Sequence, residues 1–564
     1  MLFRFLALLV SVTPLSVFAQ DLVLGEVPVP EGNPITESKR VLGKILFWEE
    51  QLSTDNSVAC GSCHKPAAGG SDERISIHPG PDQEFDTGNE TFGSPGITLY
   101  GADQIQANHP NFGFARQVTR RTSQSILTSM YAETMFWDGR SRDQLVDPLT
   151  QEVILESNAA LEAQALIPIL SSIEMGHINR SWSQVTSKLS AAEPLVLATQ
   201  IPEDMANAIQ GGKGYTELFE EAFGDPAITP VRIAMAIATY ERTLVPDQSP
   251  FDEYVQGNTL AMTADQVEGW ELFQDSVCSH CHVPPLFTDN SFARTGLRSR
   301  FDDNGLQVFT KDTADFALFK VPSLRNVGLR SALTHVGWIT DVQDAINFYN
   351  SGSHETGHTM FTDGLSTIPD PDNPGETIRM DQIDFLGDDP AHQALVVDFL
   401  TNALTDPRAV SESYPFDRPV LGSERSIAGV STSNGSQAAS DVTTTLVVNG
   451  LLSQSGSLSA QDSISLNQSI TVDPQDIGEA GGLFVVILFN GQPYLRNSNG
   501  NFKAWNGNVN DLEPLAEKLS LSATQLISVV ENLIGLKGNF AIYSGYSSNN
   551  RLVYSKSPFR FSVE

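Results

Sequence analysis

Cysteine is scarce in this chain, with four among 564 residues. That excludes the disulfide-dense scaffolds of small secreted domains and leaves each cysteine in need of a reason. Basic residues are scarce too: 34 Lys and Arg stand against 68 Asp and Glu, a formal charge of −34. A surface this negative repels nucleic acid and anionic lipid headgroups, and it favours solubility or a basic partner. Beyond the N-terminus no stretch approaches the ~20 apolar residues that a membrane helix needs. The one apolar run, residues 5–17, follows the positive start Met1-Leu2-Phe3-Arg4 and precedes the small-residue step Val17-Phe18-Ala19. That is the grammar of a secretory signal peptide over residues 1–19. We therefore expect a soluble, periplasmic protein with no membrane span.

The cysteines fall into two pairs, each reading Cys-x-x-Cys-His: Cys60-Gly61-Ser62-Cys63-His64 and Cys278-Ser279-His280-Cys281-His282. Two thiols three positions apart on a helical turn can each add to one vinyl group of a single porphyrin. The following histidine can then offer a nitrogen to iron. A redox dithiol or half a zinc site shares the Cys-x-x-Cys spacing. Two motifs consuming every cysteine of an exported chain favour two covalently bound haem c groups, with His64 and His282 as proximal ligands. The segments before them also match. Leu42-Gly43-Lys44-Ile45-Leu46-Phe47 and Glu268-Gly269-Trp270-Glu271-Leu272-Phe273 share a Gly-x-x-Leu-Phe pattern at helical spacing. A duplicated cytochrome c fold would give this.

Further motifs stand between and after the haem sites. They are Met135-Phe136-Trp137-Asp138-Gly139-Arg140, the run Leu161 to Leu166 followed by Ser172-Ile173-Glu174-Met175-Gly176, and Phe319-Lys320-Val321-Pro322-Ser323-Leu324-Arg325-Asn326-Val327. In this order they make roughly residues 35–405 resemble the bacterial di-haem cytochrome c peroxidases and their MauG-type relatives. The resemblance implies that peroxide reacts at the N-terminal haem and that electrons enter at the C-terminal one, with Trp137 between them. It implies Gln164 and Glu174 as distal residues. Chemistry agrees, since breaking an O–O bond needs an open iron position, a proton carrier and an orienting donor. It also implies an electron donor protein, a cytochrome c or a copper protein, and often a homodimer.

The sixth ligands are less fixed. For the first haem the resemblance points to a loop histidine, here His78 before the Pro79-Gly80 turn, with His109 as an alternative; a Gly-, Asn- and Asp-rich insertion follows, to about residue 114. For the second, Tyr349 stands where peroxidases of the family carry methionine. That resembles MauG-type enzymes, in which tyrosine ligates this iron and lowers its potential. Met360, His354 and His358 are nearby alternatives. Lys320, Arg325 and His335 are expected to pair with haem propionates, because buried carboxylates need positive or hydrogen-bonding partners. The family's interdomain calcium is matched poorly, with Thr122 at its asparagine position and Leu329-Arg330-Ser331-Ala332 as the carbonyl segment.

Composition changes after about residue 405. Residues 422–445 read as a Ser/Thr/Gly-rich linker. From residue 446, short β-type runs alternate with turns, interrupted by one amphipathic helical segment near residues 512–521. The expected organisation is mainly α, with two cytochrome c-like haem domains over residues 20–245 and 246–421, then a β-sandwich-like domain over 446–564. The leading function is reduction of hydrogen peroxide to water. The alternatives are peroxide-driven oxidation of a protein residue or small organic compound, and a non-catalytic electron relay.

Overall fold

The computed structural model describes residues 22–563 apart from 81, 86–89, 106, 108, 113–115, 298–302, 352–366, 370–376, 380–385, 387–388, 425–429, 433–439, 450, 454–456, 507–510, 550 and 556–557. It divides into two compact units that meet in the chain at Leu421 and Gly422.

The first unit is built of helices joined by long irregular segments. Helix α1 (Glu37–Phe47) starts at Thr36, whose hydroxyl accepts from the Lys39 N–H. Helix α2 (Cys60–Cys63) is a single turn carrying the first Cys pair. Helix α3 (Ala160–Leu170) and helix α4 (Pro230–Glu241) complete the first core, α4 packing on both α1 and α3. Gly43 makes the α1–α4 crossing possible, because a Cβ there would lie 1.8 Å from the Ala236 carbonyl oxygen.

The second half repeats the device. Helix α5 (Ala264–Asp275) is capped by Thr263, whose hydroxyl accepts from Gln266 N–H while the Gln266 side chain accepts from Thr263 N–H. It leads into the single turn α6 (Cys278–Cys281), and then come α7 (Val342–Ser351) and α8 (Pro390–Asp398). Where α5 crosses α8, a Cβ on Gly269 would lie 2.2 Å from the Leu395 carbonyl oxygen. The shared Gly-x-x-Leu-Phe pattern is thus a shared helix crossing. The two halves also have separate apolar cores, the second dominated by Phe251, Trp270, Phe273, Phe287 and Phe399.

The second unit is mainly β among its described residues, with one short 3-10 turn at Pro474–Asp476. Strands β1 (Asp441–Val448), β2 (Ile464–Thr471) and β5 (Thr524–Leu533) form most of a four-stranded sheet. Strands β3 (Gly481–Phe489), β4 (Ala516–Lys518), β6 (Gly538–Ser548), β7 (Arg551–Ser555) and β8 (Phe559–Val563) belong to a nine-stranded one. Alternate residues of both sheets, such as Ile464, Leu466, Ile542 and Val553, meet in one core, as sandwich packing requires. The helix expected near 512–521 is absent: Ala516–Lys518 pairs antiparallel with Gly481–Leu483, and Leu515 N–H donates to the Leu483 carbonyl. An open sheet edge satisfies this backbone where an isolated amphipathic turn containing Pro514 would not.

Candidate active site

A cavity of about 900 Å³ runs through the first unit, and both Cys-x-x-Cys-His motifs lie on its wall. Its volume sits at the upper end of the ~300–1,000 Å³ typical of ligand sites. Local packing presents each motif. In the first, Ser62 Oγ accepts from Ala59 N–H at 2.9 Å, and Gly61 lies so close to the Trp48 indole that a Cβ would come within 2.2 Å of it. The histidines are held alike. His64 Nδ1 lies 3.2 Å from the Gly70 carbonyl oxygen and His282 Nδ1 lies 3.1 Å from that of Phe287. A carbonyl only accepts, so each Nδ1 carries the proton and each Nε2 keeps its lone pair for a metal. Cavity, tautomers and free thiols together fit two covalently held haems.

Acids mark the His64 side. Gln164 on α3 and Glu174 in the loop after it both line the cavity. Burial holds the Glu174 carboxyl above the usual range, opposed by hydrogen bonding to Ser171 and by Arg140. The Glu174 loop is fixed from the insertion, which is built structure in this region. Ile97 N–H donates to the Ile173 carbonyl, Gln117 Nε2 donates to that of Ser172 at 2.7 Å, and a Cβ on Gly96 would lie 1.8 Å from the Ile173 oxygen. Glu241, at the end of α4, also lines the cavity; no motif pointed to it.

Trp137 stands at the seam of the two halves, 8 % exposed. Its indole N–H donates to the Thr122 carbonyl at 2.9 Å, and its own carbonyl accepts from Lys320 N–H. His335 packs edge-on against it at 6.3 Å and stacks on Phe319 at 3.6 Å. Burial pushes the His335 imidazole down to about 3, so it is neutral; its Nε2 is buried without a partner in a cavity-lining residue. Lys320 lines the cavity, its ammonium bonded to the Thr134 carbonyl and pushed down to about 8 by burial.

Arg325 departs from expectation. Its guanidinium donates to Asp252 at 2.8 and 2.9 Å and to the Pro246 and Pro285 carbonyls, and it is not among the cavity-lining residues. A buried carboxylate within reach has claimed it, so it braces the second half. Arg330 takes the position at the wall. It lines the cavity, burial pushes its guanidinium down to about 10, and among the described residues it donates to the carbonyls of Ser323 and Arg325 and leaves Nε unpartnered.

Tyr349 on α7 lines the cavity beside the second motif; burial first, then the Cys278 and Cys281 sulfurs, raise its phenol above the usual range. His78 does not line it. The residue is 5 % exposed in a hairpin pairing Ser76–His78 with Thr91–Gly93, and its Nδ1 accepts from Gly80 N–H at 3.0 Å. The turn that was to let it swing instead ties it down. His109 likewise accepts from Asn111 and Phe112 N–H away from the cavity wall. His354, His358 and Met360 lie outside the described residues.

A sequence profile described as di-haem cytochrome c peroxidase matches residues 37–260. The methylamine utilization protein MauG of Methylophilus methylotrophus is 29% identical over 363 residues, covering 62% of this chain and 86% of that protein. The cytochrome c551 peroxidase of Pseudomonas aeruginosa is 28% identical over 357 residues, covering 60% and 81%. Over these stretches the chain is similar to the bacterial di-haem cytochrome c peroxidases and their MauG relatives. It is accordingly an oxidoreductase of the peroxidase class. Among solved structures, a MauG-like protein associated with microbial copper homeostasis superimposes with a TM-score of 0.47 at 21% identity, over 70% of this chain and 96% of that one.

Proposed function

We propose that this protein reduces hydrogen peroxide to water in the periplasm, with peroxide reacting on the His64 side and electrons entering on the His282 side. The observation that carries this reading is the sharing of one cavity by both motifs, with Gln164 on its wall and Glu174 near enough to Cys60 and Cys63 to act on both sulfurs. Haem iron, when bound, supplies the two electrons that the O–O bond takes up. The side chains do the rest. The Gln164 amide orients the peroxide, and Glu174 carries a proton from the near to the far oxygen, so that water is the leaving group. Burial suits Glu174 to this work because a carboxyl held above its usual range is a stronger base toward the near oxygen. Each turnover consumes two electrons and two protons and releases two waters.

Trp137 fills the seam between the motifs, held from both sides, so that electrons crossing the cavity pass a rigid aromatic ring. Lys320, Arg330 and His335 would hold propionates, two as cations and one as a neutral donor. The acidic chain suits a basic donor, a small cytochrome or copper protein. Calcium, which the resemblance implies, forms no part of this reading. Steady-state peroxide consumption with reduced cytochrome c tests the proposal; a Glu174→Gln variant with full activity would remove its acid–base arm.

One observation favours a second reading. Tyr349 lies beside Cys278 and Cys281, where a phenolate ligand would lower the potential of the His282 side and favour oxidation of a protein residue or small organic compound. A Tyr349→Phe variant with an unchanged visible spectrum would sink it.

A further inference from the structure

Glu241 is a buried acid that the proposed chemistry leaves unused. It is 3 % exposed, it lines the cavity, and its Oε2 is buried without a hydrogen-bond partner. It is near enough to Cys60 to act on that thiol electrostatically, as is Glu174 from the opposite loop. The adjacent cation is taken: Arg242 donates to Glu162 at 2.7 and 2.9 Å and to the carbonyls of Pro28 and Asn158. Charges on the helices packed against α4 are committed as well. On α1, Lys39 is bonded to Asn33, Arg40 to Glu37 and Asp204, and Lys44 to Asp204 and Asp417; on α3, Glu162 is spent on Arg242. Burial pushes the Glu241 carboxyl up to about 8, with Arg242 opposing and Glu162 adding to the shift. An acid so placed is neutral until something nearby supplies positive charge.

We propose that Glu241 is the redox-linked proton site of the His64 centre, taking a proton when that centre gains an electron and releasing it on oxidation. This rests on the reading of Cys60, Cys63 and His64 as a haem site. The step balances. One electron from a one-electron donor converts ferric to ferrous iron, one solvent proton converts the Glu241 carboxylate to the acid, and the net charge of the buried site is unchanged. The ferric centre, one charge more positive, favours the carboxylate; the ferrous centre does not, and the low-dielectric surroundings enlarge the difference. Glu241 thereby stores one of the two protons that peroxide reduction requires.

The test is a spectroelectrochemical titration of the full haem-loaded chain between pH 6 and 9. In the wild type and in Glu174→Gln, the potential of the His64 centre should fall with pH at a slope approaching about 59 mV per unit, the one-electron, one-proton value. In Glu241→Gln the slope should flatten. An unaltered slope in that variant, or a flat wild type, overturns the proposal. If Glu241→Gln fails to fold, Glu241→Asp serves: the midpoint pH of the slope must move, and an unmoved midpoint overturns the proposal equally. Absence of haem at the first motif of the wild type would instead overturn the haem-site reading beneath it.

Discussion

The two halves of the first unit are built alike and lined differently. Each has a glycine at a helix crossing, Gly43 against Ala236 and Gly269 against Leu395. Each has a single-turn Cys-x-x-Cys helix and a histidine fixed through Nδ1 to a backbone carbonyl. Each is braced by a buried arginine–carboxylate pair, Arg242–Glu162 in one and Arg325–Asp252 in the other. Their cavity walls diverge. Two acids, Glu174 and Glu241, act on Cys60 of the first motif, whereas the Tyr349 phenol lies beside Cys278 and Cys281 of the second. Duplication supplies the same scaffold twice; divergence of the lining puts acids beside one Cys-x-x-Cys-His motif and a phenol beside the other.

The largest test of that divergence is Glu174→Gln. Peroxide turnover should fall by roughly 100- to 10,000-fold, the usual worth of a general acid–base group, while haem content stays at the wild-type level. Next come the braces, where the halves should behave alike. Glu162→Ala and Asp252→Ala each strand a buried guanidinium and should each cost about 3–5 kcal/mol, read as chemical denaturation of the respective half. Unequal losses would mean that the scaffolds are less equivalent than their geometry.

Glu241 gives a pH-dependent contrast. A folded acid held up to about 8 binds its proton where an unfolded glutamate, near 4.5, has lost it. Stability of the chain therefore falls as pH rises through that window. Glu241→Gln removes the penalty, so its advantage in unfolding free energy should grow from pH 5 to pH 8 and then level off, reaching on the order of 4–5 kcal/mol. Smallest are the crossings: Gly43→Ala and Gly269→Ala should each cost about 1–3 kcal/mol in thermal unfolding. Gly43 should cost more, because its Cβ would come 1.8 Å from a backbone oxygen rather than 2.2 Å.

What the sequence revealed was local. Cys-x-x-Cys-His spacing, the tryptophan segment and the Glu174 segment are short patterns whose residues end up on one cavity wall. The partner of Arg325 was not legible because a basic residue in a motif does not announce it, and Asp252 lies 73 positions away. The pairing of the His78 segment was hidden because a Pro-Gly turn reads as a loop until its strand partner, Thr91–Gly93, is seen. Arg330 and Glu241 belong to no repeat, yet Glu241 left a trace as the lone acid ending the apolar run Ile233-Ala234-Met235-Ala236-Ile237-Ala238. In the second unit the strands followed from their alternation, whereas residues 516–518 became a strand only because β3 offered an open edge.

The inequivalence of the two centres is tested most directly by electron paramagnetic resonance of the oxidised and half-reduced full chain, with and without Tyr349→Phe. Two ferric signals with different ligand sets are predicted, of which Tyr349→Phe alters one and added peroxide perturbs the other. One shared ligand set, or a Tyr349→Phe spectrum identical to the wild type in both signals, would contradict the account.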